Sequence, residues 1–264
     1  MGHARGRHTH ANGIRLHYLV WETALPPLVL IPGITSPAAT WAFVGDRLSQ
    51  FAKVYILDNR GRGLSESGAD LSYTLDDYAD DAADFIRGQG IAGCAIVGHS
   101  MGAHIAIRMG VRHPGLTGPM VLADPPMTGP GRSPYPFPLE FYLGQVAAAG
   151  RGEGRERARQ MLPSWNDEQL ALREQWLPTC HPKAVEATWK GFHDEDVWSD
   201  LPKLANRSLL LYAPDGKVVS DESAREFSTL MPDCTTARIE KAGHMIPWDA
   251  PGPFVDAIGT FLKA

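Results

Sequence analysis

The 264-residue sequence is poor in cysteine, in sustained apolar runs and in surplus positive charge. Its three cysteines, Cys94, Cys180 and Cys234, are odd in number and scattered, which argues against a disulfide framework or a zinc ribbon and favours a reducing compartment. A membrane helix needs roughly 20 consecutive apolar residues. The uncharged stretch from Ala24 to Gly45 does not qualify, because Pro26, Pro27, Pro32 and Pro37 interrupt it. The opening MGHARGRHTHANG lacks the apolar core of a secretory signal, so the cytoplasm is the expected location. Lys and Arg number 25 against 30 Asp and Glu, a net charge of −5 that offers no footprint for a nucleic-acid backbone. No H-E-x-x-H or comparable ligand cluster occurs, so neither a metal nor a cofactor is expected. His3, His8 and His10 are read as a solvated terminus rather than a metal-binding arm. No sequence feature specifies an oligomeric state.

What is present is a globular composition, 44% hydrophobic and 21% charged, enough for a substantial core. Asn12-Gly13 between two strand-like runs, His8 to His10 and Ile14 to Val20, is a hairpin signal. Short apolar runs follow: LVLI from Leu28, KVYIL from Lys53, CAIV from Cys94, MVLA from Met120, SLLLY from Ser208 and TARIE from Thr236. Amphipathic stretches separate them, with Leu75, Tyr78, Ala82, Phe85 and Ile86 at helical spacing. Such alternation predicts an α/β fold, a mostly parallel sheet of eight strands flanked by helices.

The segment 129–204 breaks the rhythm. It opens Pro-rich (GPGRSPYPFP) and continues as charged helical stretches without a convincing strand. A helical cap inserted after the sixth strand, with aromatics exposed, is the simplest reading. It leaves 1–128 and 205–264 as the core. AAAGRGEGRERAR within it reads as a solvated helix face.

Gly98-His99-Ser100-Met101-Gly102 carries the strongest chemical signal. It places G-x-S-x-G between an apolar strand and an apolar helix, where a sharp turn pushes the serine oxygen out of the sheet and small flanking residues leave space for it. The helix N-terminus beneath favours developing negative charge. Serine needs a neighbouring base. Among the ten histidines, His244 follows the last strand, at the sheet's carboxyl edge where open α/β sheets bind ligands. A buried carboxylate must then fix the imidazole, and Asp124 ends the sixth apolar run at that same edge. Acyl transfer also needs two donors for an oxyanion. The amides of Met101 and of Ile34, in the loop after the third strand, are the candidates.

The order Ser100, Asp124, His244, together with PGIT, DNRGRGLS, GHSMGA and AGHMIPWD, resembles the α/β-hydrolase superfamily over the whole chain. Members commonly place the acid after the seventh strand. Here that loop reads Ala213-Pro214-Asp215-Gly216-Lys217-Val218-Val219, where Asp215 stands one residue out of place and Gly216 occupies the usual position. Asp124 is therefore preferred and Asp215 kept as the alternative. Longer strings, including DPPMTGPGR and WNDEQLALREQWLPTC, are similar to deformylating amidases within the superfamily, a group in which the acid follows strand six. The resemblance implies a metal-independent serine hydrolase acting on a small anionic amide. Arg132 would bind the substrate carboxylate, with Trp165, Tyr135 and His181 completing the pocket; Arg60 and Arg62 are read as structural. An esterase, lactonase or C–C hydrolase of another small carboxylic acid, and a ligand-binding receptor without turnover, are the competing readings.

Overall fold

A computed structural model of the protein describes residues 3–264. Eight strands form one sheet: β1 (Arg5–Ala11), β2 (Ile14–Trp21), β3 (Pro27–Ile31), β4 (Lys53–Leu57), β5 (Cys94–His99), β6 (Thr117–Ala123), β7 (Ser208–Tyr212) and β8 (Cys234–Arg238). Their order is β1-β2-β4-β3-β5-β6-β7-β8. The β1–β2 and β2–β4 pairs are antiparallel and all others parallel. Asn12 and Gly13 both adopt positive φ, 47° and 78°, the backbone that a tight hairpin with right-handed strand twist requires. His8 and His10 lie within β1 rather than in a loose tail.

Helices cover both faces. On the core, α1 (Ala42–Leu48), α2 (Leu75–Gln89) and α3 (Met101–Arg112) come first. Between β6 and β7 stand α4 (Leu139–Gly150), α5 (Gly154–Met161), α6 (Asp167–Trp176) and α7 (Pro182–Asp194), with no strand among them. The chain ends in α8 (Asp221–Leu230), α9 (Ile246–Asp249) and α10 (Pro251–Lys263). Strand alternation divides the buried side chains between two cores. Val29 and Ile31 of β3 face one layer with Phe85, Ile105 and Ile107, whereas Leu28 and Leu30 face the other with Trp41, Leu48 and Phe254. Each such fully buried side chain contributes about 1.5–3 kcal/mol relative to exposure. Thr74 opens α2 in a capping box with Asp77, and Asn166 opens α6 in another with Gln169. No helix among the described residues is long and apolar enough to cross a membrane.

Three local expectations change. The last strand begins at Cys234, two residues before the TARIE run, because β8 is an exposed edge whose residues carry no apolar pattern. AAAGRGEGRERAR is not one helix: α4 stops at Gly150, Gly152 turns with φ 77°, and α5 starts afresh at Gly154. Its Ala148 and Ala149 are buried, not solvated. The large aromatics between β6 and β7 are not exposed either; Tyr135, Tyr142, Trp165 and Phe192 are buried against the two cores.

Candidate active site

Ser100 sits between β5 and α3 with φ 54° and ψ −120°, a strained conformation that turns the chain sharply at the sheet's edge. The strain is accommodated by two glycines. A Cβ on Gly98 would overlap the carbonyl of Gly102, and one on Gly102 would overlap the carbonyl of Ile31. The G-x-S-x-G spacing thus reflects close backbone packing under the serine. His244 lies in the loop between β8 and α9, and its Nε2 accepts from the Ser100 hydroxyl at 3.0 Å. Its Nδ1–H donates to Asp124 Oδ2 at 2.6 Å.

Asp124 reaches this position from the end of β6 through a positive φ of 46°, and it is fully buried. Its other oxygen accepts from the Ala213 amide at 3.1 Å. Burial pushes its carboxyl above the ordinary value, opposed by the His244 bond and the Ala213 amide. Asp215, by contrast, is exposed on the turn after β7. Gly216, beside it, has no room for any side chain: a Cβ there would lie 2.5 Å from the His244 amide nitrogen. The structure brings Ser100, His244 and Asp124 together and leaves Asp215 outside the chain of hydrogen bonds.

His99, next to the serine, faces the histidine loop. Its ring stands 5.1 Å from that of His244, and its Nε2–H donates to the His244 carbonyl at 2.9 Å. Burial, aided by the neighbouring His244 ring, lowers His99 to about 3, so it stays neutral and holds the loop as a fixed donor. Asp249 holds the loop from the other side. It accepts from the Gly243 amide, the Ser164 hydroxyl and the Trp165 indole at 2.9, 2.9 and 3.2 Å.

The loop after β3 supplies the Ile34 amide, and α3 begins with that of Met101. Among the described residues neither N–H donates to a protein acceptor. Arg62 fixes the first of these loops, donating from Nε to the Ile34 carbonyl at 3.0 Å and from Nη2 to Thr188 in α7 at 2.8 Å. Arg60 forks onto Asp81 at 2.6 and 2.5 Å. Both arginines are buried and tied to the scaffold.

Ser100 and His244 open into a cavity of about 550 Å³, bordered by Phe137, Phe141, Gln145 and Arg173 from the helical segment. Tyr135 lies beside it: its hydroxyl stands 3.5 Å from His244 Nε2 and receives the Tyr142 hydroxyl at 3.1 Å. Burial raises Tyr135 well above its ordinary value and Tyr142 to about 12, so both remain protonated donors.

The other three pocket residues expected from the sequence lie elsewhere. Arg132 pairs with Glu226 at 2.6 Å, covers the Trp198 ring at 3.3 Å and borders a separate cavity. Its guanidinium has found partners on α8 instead of facing Ser100. Trp165 stacks on Trp248 with centroids 5.4 Å apart and tethers Asp249, packing rather than lining. His181 caps α7, its Nδ1 accepting from the Lys183 amide at 3.3 Å. In this segment such aromatics are consumed by packing and capping.

Among the lining residues that escaped sequence reasoning are Arg173 and Gln145. Arg173 donates from Nη2 to Gln145 Oε1 at 2.8 Å, while its Nε and the Gln145 Nε2 are buried without a partner. The available signal was periodicity. Arg173 lies three residues after Leu170 and four before Leu177, both buried, so a charge stands on the apolar stripe of its helix. Burial lowers the Arg173 guanidinium below its ordinary value, but arginine keeps its charge in proteins.

Comparison with known proteins agrees with this architecture. A model of the alpha/beta hydrolase family matches residues 28–257. An N-formylmaleamate deformylase of Pseudomonas putida is 43% identical over 258 residues, covering 97% of this chain and 96% of that protein. A 2-(acetamidomethylene)succinate hydrolase of Mesorhizobium japonicum is 34% identical, over 95% of this chain and 93% of its own length. The crystal structure of an N-formylmaleamic acid deformylase from Pseudomonas putida superposes with a TM-score of 0.91 at 43% identity, covering 96% of this chain and all of that one. With the sheet order, the serine turn and these matches in agreement, the chain belongs to the alpha/beta hydrolase family.

Proposed function

We propose that this protein is a serine hydrolase that converts N-formylmaleamate and water to maleamate and formate. The observation that carries the reading is the hydrogen-bonded chain from Ser100 through His244 to the buried Asp124. The substrate follows from the similarity to the deformylase, and the second relative's name also denotes a small carboxylate bearing an acylated nitrogen. Segment 129–204 serves as the cap over a core of 1–128 and 205–264. Cysteines that are all free fit a cytoplasmic enzyme.

The chemistry follows from the geometry. The formyl nitrogen of the substrate shares its lone pair between two carbonyls, so the formyl carbon is more electrophilic than in a simple amide. Ser100 passes its proton to His244 Nε2 as Oγ attacks that carbon. The Ile34 and Met101 amides receive the oxyanion, each such donor contributing about 10²–10³ in turnover. Collapse breaks the C–N bond, and His244 returns the proton to the departing nitrogen, releasing maleamate. Water then attacks the formyl ester of Ser100 with His244 as base, giving formate. Tyr135, held by Tyr142, faces this proton path and orients the amide. Asp124 keeps Nδ1 protonated and stabilises the imidazolium throughout.

The test is a substrate panel with purified protein. Formate release from N-formylmaleamate should exceed hydrolysis of small neutral esters, an enol lactone and a C–C cleavage substrate in kcat/KM. Preference for any of the latter would overturn the substrate assignment while leaving the serine mechanism in place.

A further inference from the structure

Arg173 and Gln145 stand on different helices of the inserted segment, α6 and α4, and both border the cavity that contains Ser100 and His244. One hydrogen bond, Arg173 Nη2 to Gln145 Oε1 at 2.8 Å, joins them. That bond uses the acceptor of the glutamine and leaves two donors, Arg173 Nε–H and the Gln145 amide, buried without partners. Gln145 is only 4% exposed. No carboxylate of the described residues pairs with Arg173.

Such an arrangement is costly to a folded chain. A buried donor without an acceptor, here one on the half-buried guanidinium and one on the buried amide, opposes folding, and proteins ordinarily place a partner beside it. The other charges around the cavity do not fill this role. Asp249 is occupied by three donors, and Asp215 lies exposed on the turn after β7. Lys217 and Lys241 are exposed and border the same cavity, adding positive potential at its edge.

Resting on the hydrolase reading above, we infer that Arg173 and Gln145 form the subsite for the substrate's carboxylate, with the scissile amide directed to Ser100. The chemistry of the vacant hydrogen bonds selects the ligand. Both free groups are donors, so the complementary group is an acceptor without donors of its own. A carboxylate satisfies this with two oxygens, whereas a carboxamide brings an N–H₂ that has nothing to meet. The subsite therefore discriminates a monoanionic amide acid from its neutral diamide, and it fixes which end of a two-ended substrate approaches the serine. Helices α4 and α6 would be drawn together by the ligand, since each supplies one of the two groups.

The experiment is calorimetric titration with maleamate and with its neutral diamide, which requires no turnover. The wild-type protein should bind the anion at least tenfold more tightly. In Arg173→Met that preference should vanish. Arg173→Lys keeps the charge but loses the Nε donor, and Gln145→Leu loses the amide; each should weaken maleamate several-fold and leave the diamide unchanged. Equal binding of the two ligands by wild type, or undiminished maleamate affinity in any folded variant, would overturn the subsite. Its failure is distinguishable from that of the deformylase reading. Absent formate release with the anion preference intact removes only the reaction, and normal formate release with no preference removes only the subsite.

Discussion

Asp124 and Asp215 are separated by their surroundings rather than by their chemistry. Asp124 is buried, bonded to His244 Nδ1 and to a backbone amide; Asp215 is exposed and bonded to neither. Converting Asp124 to Asn should therefore lower kcat for formate release by about 10⁴-fold, because the amide favours the wrong histidine tautomer. Asp215→Asn should stay within about twofold of wild type. Steady-state assays of the two variants check both statements. Ser100 and His244 were legible in the sequence because strand–turn–helix context and glycine packing mark them locally. The arginine that borders the cavity was not. Arg132 and Arg173 look alike in a sequence, and only the packed structure gives Arg132 the Glu226 partner and leaves Arg173 without one.

At the scale of elements, three segments far apart in the chain hold the site in register. Arg62 joins the β3 loop, α2 and α7 through Ile34, Tyr78, Ala184 and Thr188. Arg62→Met would remove these four hydrogen bonds to a charged donor, each contributing about 1.5–3 kcal/mol, and strand the Ile34 carbonyl, whereas the Tyr78 and Thr188 hydroxyls keep each other at 3.2 Å. The expected loss is at least about 3 kcal/mol in urea unfolding, with a lower kcat as the Ile34 amide drifts. Unchanged stability would mean that the oxyanion loop is held by other contacts. The parallel strands were readable because β3 to β7 are short apolar runs buried on both faces. The exposed β8 edge and the break between α4 and α5 carried no such pattern, and both were misplaced by sequence reasoning alone.

For the whole molecule, acid sensitivity follows from buried neutral imidazoles. His104 is buried in α3, bonded to the Pro126 carbonyl at 2.8 Å, and burial lowers it to about 4. Below its ordinary value near 6.5 the unfolded chain takes up a proton that the folded chain refuses. This contribution to stability therefore falls with pH until about 4, where the folded form also protonates. His104→Gln keeps a donor and removes the titration. Between pH 6.5 and 5, wild type should lose about 1.5 kcal/mol more unfolding free energy than the variant. Parallel profiles would contradict the buried neutral state.

The proposed reaction rests on an activated hydroxyl in the cavity, and the most direct measurement compares formate released from N-formylmaleamate by wild type and by Ser100→Ala. Wild type should yield formate and maleamate in equal amounts, while the variant, still folded and still binding maleamate, should be slower by about 10⁴-fold or more. Turnover by Ser100→Ala near the wild-type rate would show that the bond is broken by some other group.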